Sequence, residues 1–166
     1  MTTKLQLQVI EFMREVAHQR VEPVPTIPDV GTVRLRVMLV IEEALEFLEA
    51  CFGQVPEKLL IEEMIRNTIN AREMRVNLEE VADALGDLDY VSEGSRLAFG
   101  IEGGSVADEI HRTNMLKVGG EVREGKTLKP RQWEKPKIEE ILAKQNVGDI
   151  LTVGEILNSL ERNHEI

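Results

Sequence analysis

The sequence predicts an all-α protein, a helical bundle with one small hairpin or ordered loop near residues 121–129. Three observations carry that prediction. Apolar residues recur at helical spacing through most of the chain. Aromatic residues make up only 4% of the sequence, too few for the aromatic and β-branched pairing on which sandwiches and barrels depend. Alternation of the strand type is confined to Glu121–Lys129, around one glycine. With 166 residues, 42% of them hydrophobic and 30% charged, the chain has the size and apolar mass of one folded domain, so a single domain over 1–166 is expected.

The elements follow in order. Leu5, Val9, Phe12, Met13 and Val16 form one stripe, opened by Thr3 and Gln6 at the spacing of a capping box. Pro23, Pro25 and Pro28 forbid continuation of that helix. A long second helix is predicted over 32–52, with core positions Met38, Ile41, Leu45, Leu48 and Phe52. Cys51 sits among Phe47, Leu48 and Phe52 and reads as a packed thiol. Leu59, Leu60, Met64 and Ile65 suggest a short third helix before Asn67, Thr68 and Asn70. Asn77 and Glu80 then form a second capping box, ahead of a stripe of Leu78, Val81, Leu85 and Leu88 that runs toward Phe99 and stops at Gly100. Ser105 is read as the cap of a helix reaching Lys117 and closed by Gly119-Gly120. Beyond the 121–129 excursion, 130–136 is a loop carrying Trp133. Two short helices, 138–145 and 153–162, end the chain, the latter opened by Thr152 and Glu155.

Twenty Lys and Arg against thirty Asp and Glu leave a net charge of −10, which repels a polyphosphate backbone and argues against nucleic-acid binding. A nucleotide stays accessible if metal ions bridge the two anionic parties. The longest aliphatic run, Val37–Ile41, falls far short of the ~20 residues of a membrane span, and the first residues do not have the pattern of a signal peptide. With one cysteine and hence no internal disulfide, a cytoplasmic location is expected.

The acids are placed unevenly. At about 100° per residue, Glu46, Glu49 and Glu43 lie at 40°, −20° and 100° from Glu42, flanking a core stripe centred near −80°. From Leu35 to Phe52 the only base is Arg36. Glu80, Asp83 and Asp87 form a second strip on the Asn77 helix, spanning about 60°. Two such helices side by side could aim both strips into one cavity. A donor set of carboxylates alone suits a hard cation, Mg²⁺ or Mn²⁺, while His18, His111 and His164 are scattered. A cluster of Glu on a helix is also compatible with a solvated face, and Glu80 has a sufficient role as a capping residue.

Glu42-Glu43-Ala44-Leu45-Glu46, followed by Glu80-Val81-Ala82-Asp83 and Asp87-Leu88-Asp89-Tyr90-Val91, resembles the all-α NTP pyrophosphatase superfamily. That superfamily includes MazG-like enzymes, dimeric dUTPases and phosphoribosyl-ATP pyrophosphohydrolases. Glu109-Ile110-His111-Arg112-Thr113-Asn114-Met115-Leu116-Lys117, then Gly125-Lys126, Leu128-Lys129-Pro130 and Trp133, is similar to its phosphoribosyl-ATP pyrophosphohydrolase-like branch. The resemblance covers about 5–137 and leaves 138–166 outside. Ala84 stands where the family has its Glu, three residues before Asp87; Asp83, one turn before Asp87, shares its face and can substitute.

The resemblance implies Mg²⁺-dependent hydrolysis of a nucleoside triphosphate to monophosphate and pyrophosphate. Glu42, Glu43, Glu46, Asp83 and Asp87 would be the metal set, with Glu80 a possible outer ligand. Glu43, the acid of its motif most displaced in angle, is assigned as the base that activates water. Arg112, Lys117 and Lys129 could hold pyrophosphate, and Asn114 a base or sugar edge. Trp133 either stacks on a base or anchors its loop, and Arg112 is equally a surface residue. The few aromatics and the family both imply a homodimer or a dimer of dimers. Two alternatives stand beside this reading: a phosphoribosyl-ATP pyrophosphohydrolase, and a non-enzymatic acidic interaction module.

Overall fold

Helical periodicity is realised along nearly the whole chain. The computed structural model describes residues 2–148 and 152–164, and among them it places seven helices and one two-stranded sheet, so the all-α class holds. The helices are α1 (Lys4–Glu15), α2 (Val30–Phe52), α3 (Lys58–Ala71), α4 (Leu78–Ala98), α5 (Gly103–Met115), α6 (Ile138–Asn146) and α7 (Val153–His164). Strands β1 (Val122–Arg123) and β2 (Lys126–Thr127) pair antiparallel, Val122 opposite Thr127. No helix among the described residues is long and apolar enough to cross a membrane. Contacts divide the chain into two compact units, one of Met1–Val21 with Glu79–Ile166 and one of Glu22–Leu78.

In the first unit α1 packs on α5, and α5 on α6. The expected Thr3–Gln6 capping box opens α1: the Gln6 N–H donates to Thr3 Oγ1 at 3.1 Å and the Thr3 N–H to Gln6 Oε1 at 2.8 Å. Asp108 of α5 joins the two helices, accepting from Lys4 Nζ at 2.6 Å and Gln8 Nε2 at 2.7 Å. Val16, Ala17, Thr113 and Gln145 are buried. The hairpin is tied back to the end of α1 by Gln19 Nε2 on the Gly125 carbonyl (2.7 Å) and Thr127 Oγ1 on the Val16 carbonyl (3.3 Å). Its turn, Glu124-Gly125, takes positive φ at both residues (50° and 79°), the geometry of a two-residue hairpin. Gly120 is required by close approach, because a Cβ there would collide with the Leu128 carbonyl.

The cap of α5 departs from the sequence reading. Glu102, not Ser105, is the N-cap: its carboxylate accepts from the Gly104 and Ser105 N–H groups and from Ser105 Oγ. A longer carboxylate one residue outside the glycine pair reaches the same orphan donors, and Ser105 becomes a donor inside the first turn. The Thr152–Glu155 box at the start of α7 forms as expected.

In the second unit α2 packs on α3. Asp29 caps α2, accepting from the Thr32 N–H at 3.0 Å, so the helix begins two residues before the predicted start. Helix α3 is longer than predicted. Its polar end stays helical, with Thr68 Oγ1 donating back to the Met64 carbonyl at 2.8 Å. Met38 is buried. The expected core positions Leu48 and Phe52 are exposed, Phe52 by 82%, and Cys51 is exposed rather than packed. With Phe47, Leu48 and Phe52 themselves open, no apolar enclosure forms around the thiol. The predicted stripe of α4 is also uncovered: every residue from Glu79 to Gly94 is exposed, Val81, Leu85 and Leu88 among them.

Candidate active site

The acids of α2 find their counter-charges on the next helix. Four like charges on one face repel strongly in a partly buried setting, and the sequence supplies only Arg36 nearby. In the folded unit Lys58, at the start of α3, donates to Glu49 Oε2 at 2.7 Å. That bond holds the Glu49 carboxyl below its ordinary range and raises Lys58. Arg66, two turns along α3, stands 3.9 Å from Glu42. Glu42 is the most enclosed acid of the strip, its side chain 17% exposed, while Glu43 and Glu46 are exposed. Glu49 is thus neutralised, and Glu42, Glu43 and Glu46 stand along the helix beside it. Lys58 and Arg66 are counter-charges that the sequence reading missed, because their pairing depends on how two helices pack.

In the first unit α4 carries Glu80, Asp83 and Asp87, all exposed. Asp83 and Asp87, four residues apart, share a face, as do Glu42 and Glu46 on α2. Within neither unit, among the described residues, do three acidic, His or Cys side chains converge on one metal position. The donor chemistry still fits Mg²⁺. That ion keeps several waters and typically takes one or two carboxylates together with substrate phosphates, and each helix offers one i, i+4 pair of hard oxygen donors with no histidine or thiol beside it.

The substrate-side candidates are gathered around α5 and the loop after the hairpin. Arg112 forms a two-pronged pair with Glu109 (Nε to Oε2 and Nη2 to Oε1, both 2.8 Å), with Glu134 3.9 Å from Nη1. The Lys137 N–H also donates to Glu109 at 2.8 Å. The Arg112 fork, with the Lys137 N–H behind it, holds the Glu109 carboxyl at about 2. Trp133 Nε1 donates to the carbonyl of buried Thr113 at 2.8 Å, and Lys129 Nζ stands 4.2 Å from its ring centre, within cation–π range. Lys117 stands 5.8 Å from the Phe12 ring. Asn114 is half-buried on the face of α5 that looks toward α1 and α4.

An all-α protein with paired carboxylates on two long helices belongs to a narrow class. The chain is a member of the phosphoribosyl-ATP pyrophosphohydrolase family, whose model matches residues 9–114; it is a nucleotide pyrophosphohydrolase. The match is shorter than the expected 5–137: it takes in both acidic strips and ends at Asn114, before Lys117, Lys129 and Trp133. The structure is similar to a crystal structure of a proposed NTP pyrophosphohydrolase from Exiguobacterium sp. 255-15, with a TM-score of 0.65 and 22% identity over 90% of this chain and 100% of that one. At that identity the likeness establishes the fold. No curated protein matches the chain.

Proposed function

We propose that this protein hydrolyses a nucleoside triphosphate, ribo- or deoxyribo-, to the monophosphate and pyrophosphate in a Mg²⁺-dependent reaction. The observation that carries the proposal is the presence of two i, i+4 carboxylate pairs, Glu42/Glu46 and Asp83/Asp87, on helices inside the family-matched segment. Each pair would offer hard oxygen donors to a metal, with Glu80 the outermost acid on α4. Mg²⁺, which Mn²⁺ can replace, would supply charge neutralisation for the triphosphate and acidify a water. Glu43, exposed and turned away from Glu42 and Glu46, would accept that water's proton. Lys117 and Lys129, joined by Arg112, would meet the leaving pyrophosphate. The indole bond of Trp133 to Thr113 supports the anchoring role for that residue. A homodimer or dimer of dimers is part of the proposal, supported by the open apolar stripe of α4, and so is a cytoplasmic setting.

The family description favours one second reading, phosphoribosyl-ATP as the substrate; membership of a hydrolase family leaves the non-enzymatic module without support. Both enzymatic readings are tested by one assay: pyrophosphate release from canonical NTPs and dNTPs, modified nucleotides and phosphoribosyl-ATP, with Mg²⁺, Mn²⁺ or EDTA. Metal-dependent release is expected, and the preferred substrate decides between them. Absence of release from every substrate with either metal would overturn the proposal.

A further inference from the structure

We propose that the second unit carries a binding site for a small aliphatic carboxylate, in a cleft between α2, the C-terminal end of α3 and the segment that follows it. The cleft has a volume of about 190 Å³, below the ~300–1,000 Å³ of sites for drug-sized ligands. Its apolar wall contains no aromatic ring: Val30, Val33 and Val37 come from α2, Ile69 from α3, and Met74 and Val76 from beyond it. Arg72 ends α3 in extended backbone (φ −97°, ψ 144°), and residues 73–76 run on along the cleft without helix or strand.

The rim is basic in a chain whose net charge is −10. Lys58 and Arg66 face the α2 acids, whereas Arg34, Arg72 and Arg75, half of the unit's six Lys and Arg, line this small cleft. The one acid beside them, Glu73, meets Arg75 at 3.2 Å in a pair open to water on both sides and therefore weak. Arg34 Nη2 donates to the Asn70 carbonyl at 3.3 Å. That bond covers an acceptor left over at the end of α3 and leaves the other N–H groups of the guanidinium unengaged. Arg72 has no ion pair or hydrogen bond among the described residues.

Guanidinium forks match the paired oxygens of a carboxylate, and the apolar wall takes an alkyl body out of water. The lining has no ring on which a base could stack and no amide or hydroxyl side chain to read a base edge. An inorganic anion would leave the wall wet, and an alcohol would leave the forks unmatched. Helix geometry separates the cleft from the acids of the same helix. Val30, Val33, Arg34 and Val37 centre roughly 130° around α2 from Glu42 and lie roughly 8–18 Å nearer its N-terminus. Binding here therefore needs neither those carboxylates nor the reaction proposed above.

The test is titration of the full-length protein, in metal-free buffer, with hexanoate, hexanol and inorganic phosphate, followed by methyl and amide chemical shifts. Millimolar hexanoate is expected to shift Val33, Val37, Ile69 and Val76, with hexanol at least tenfold weaker and phosphate without effect on those methyl groups. Arg72→Gln, at an exposed position outside the acidic strips, is expected to weaken hexanoate at least fivefold while hexanol binding and pyrophosphate release stay unchanged. Val37→Phe, which narrows the cleft, is expected to weaken hexanoate at least tenfold; should that variant not fold, as judged by circular dichroism, Val76→Met takes its place. The inference is overturned if hexanoate causes no shifts, or if hexanol or phosphate binds as well as hexanoate. It is equally overturned if the shifts fall on Glu42, Glu43 and Glu46, or if either substitution leaves the affinity unchanged. Pyrophosphate release is measured separately, so loss of one result leaves the other intact.

Discussion

Glu43 and Glu42 are sequence neighbours with different surroundings: Glu42 is enclosed and faces Arg66, while Glu43 is open. Glu43→Gln keeps the shape and removes the basic carboxylate, so kcat for pyrophosphate release is expected to fall by roughly 10²–10⁴, with little change in Mg²⁺ affinity by titration. Loss of Mg²⁺ binding in this variant, with binding retained in Glu46→Gln, would exchange the two roles. Gln145 makes a different kind of prediction. Buried in α6, its amide donates to the Glu102 carbonyl (2.9 Å) and Ser105 Oγ (3.0 Å) and accepts from the Glu102 N–H (3.0 Å). Gln145→Leu orphans those groups at roughly 1–3 kcal/mol each where they stay dry, which urea denaturation will register as a clear fall in midpoint at unchanged slope. What was legible at this scale was local. The boxes at Thr3 and Thr152 could be read because cap and partner lie three residues apart. The Gln145 clamp, Lys58 and Arg66 could not, since their partners come from other helices.

The elements show where pattern and packing part company. Every helix was visible from its period, and α4 was bounded correctly by Gly100, yet its stripe of Val81, Leu85 and Leu88 is not buried in the chain. Periodicity states which residues want to leave water; it does not state what covers them. Helix α3 ran past its predicted end because Asn and Thr are only mildly unfavourable in a helix. The loop from Pro130 to Lys137 is held by Glu109, which takes the Arg112 fork and the Lys137 N–H. The folded carboxyl titrates at about 2, against 4.5 for the free group. The sign follows: this depressed acid contributes its full stabilisation above pH 4.5, and the contribution is lost as pH falls from there through about 2. Trp133 sits in that loop, so its fluorescence should report loosening across that window, and Glu109→Gln should flatten the profile. A wild-type signal constant from pH 5 to 2 would remove Glu109 as the latch.

For the molecule as a whole, the open apolar side chains of α4 ask for a partner surface, since exposed apolar patches of this kind mark interaction sites. Sedimentation at micromolar concentration is expected to give twice or four times the 18.8 kDa chain mass, and Leu85→Glu should shift the distribution toward the monomer. A wild-type protein sedimenting at 18.8 kDa would end the dimer proposal. The acidic strips were legible as strips because an i, i+4 spacing is written in the sequence; their counter-charges were not. The clamp between Gln145 and Glu102 also has a meaning in time. The two residues are 43 positions apart, and at a synthesis rate of ~5–20 residues per second Gln145 is made roughly 2–9 s after Glu102. During that interval the Glu102 N–H and carbonyl have only water to bond, while the Glu102 carboxylate already caps the helix. The residue that carries the cap of α5 is therefore clamped by one translated well after the helix itself, and a nascent chain paused between the two presents the family-matched segment with the backbone of Glu102 not yet held.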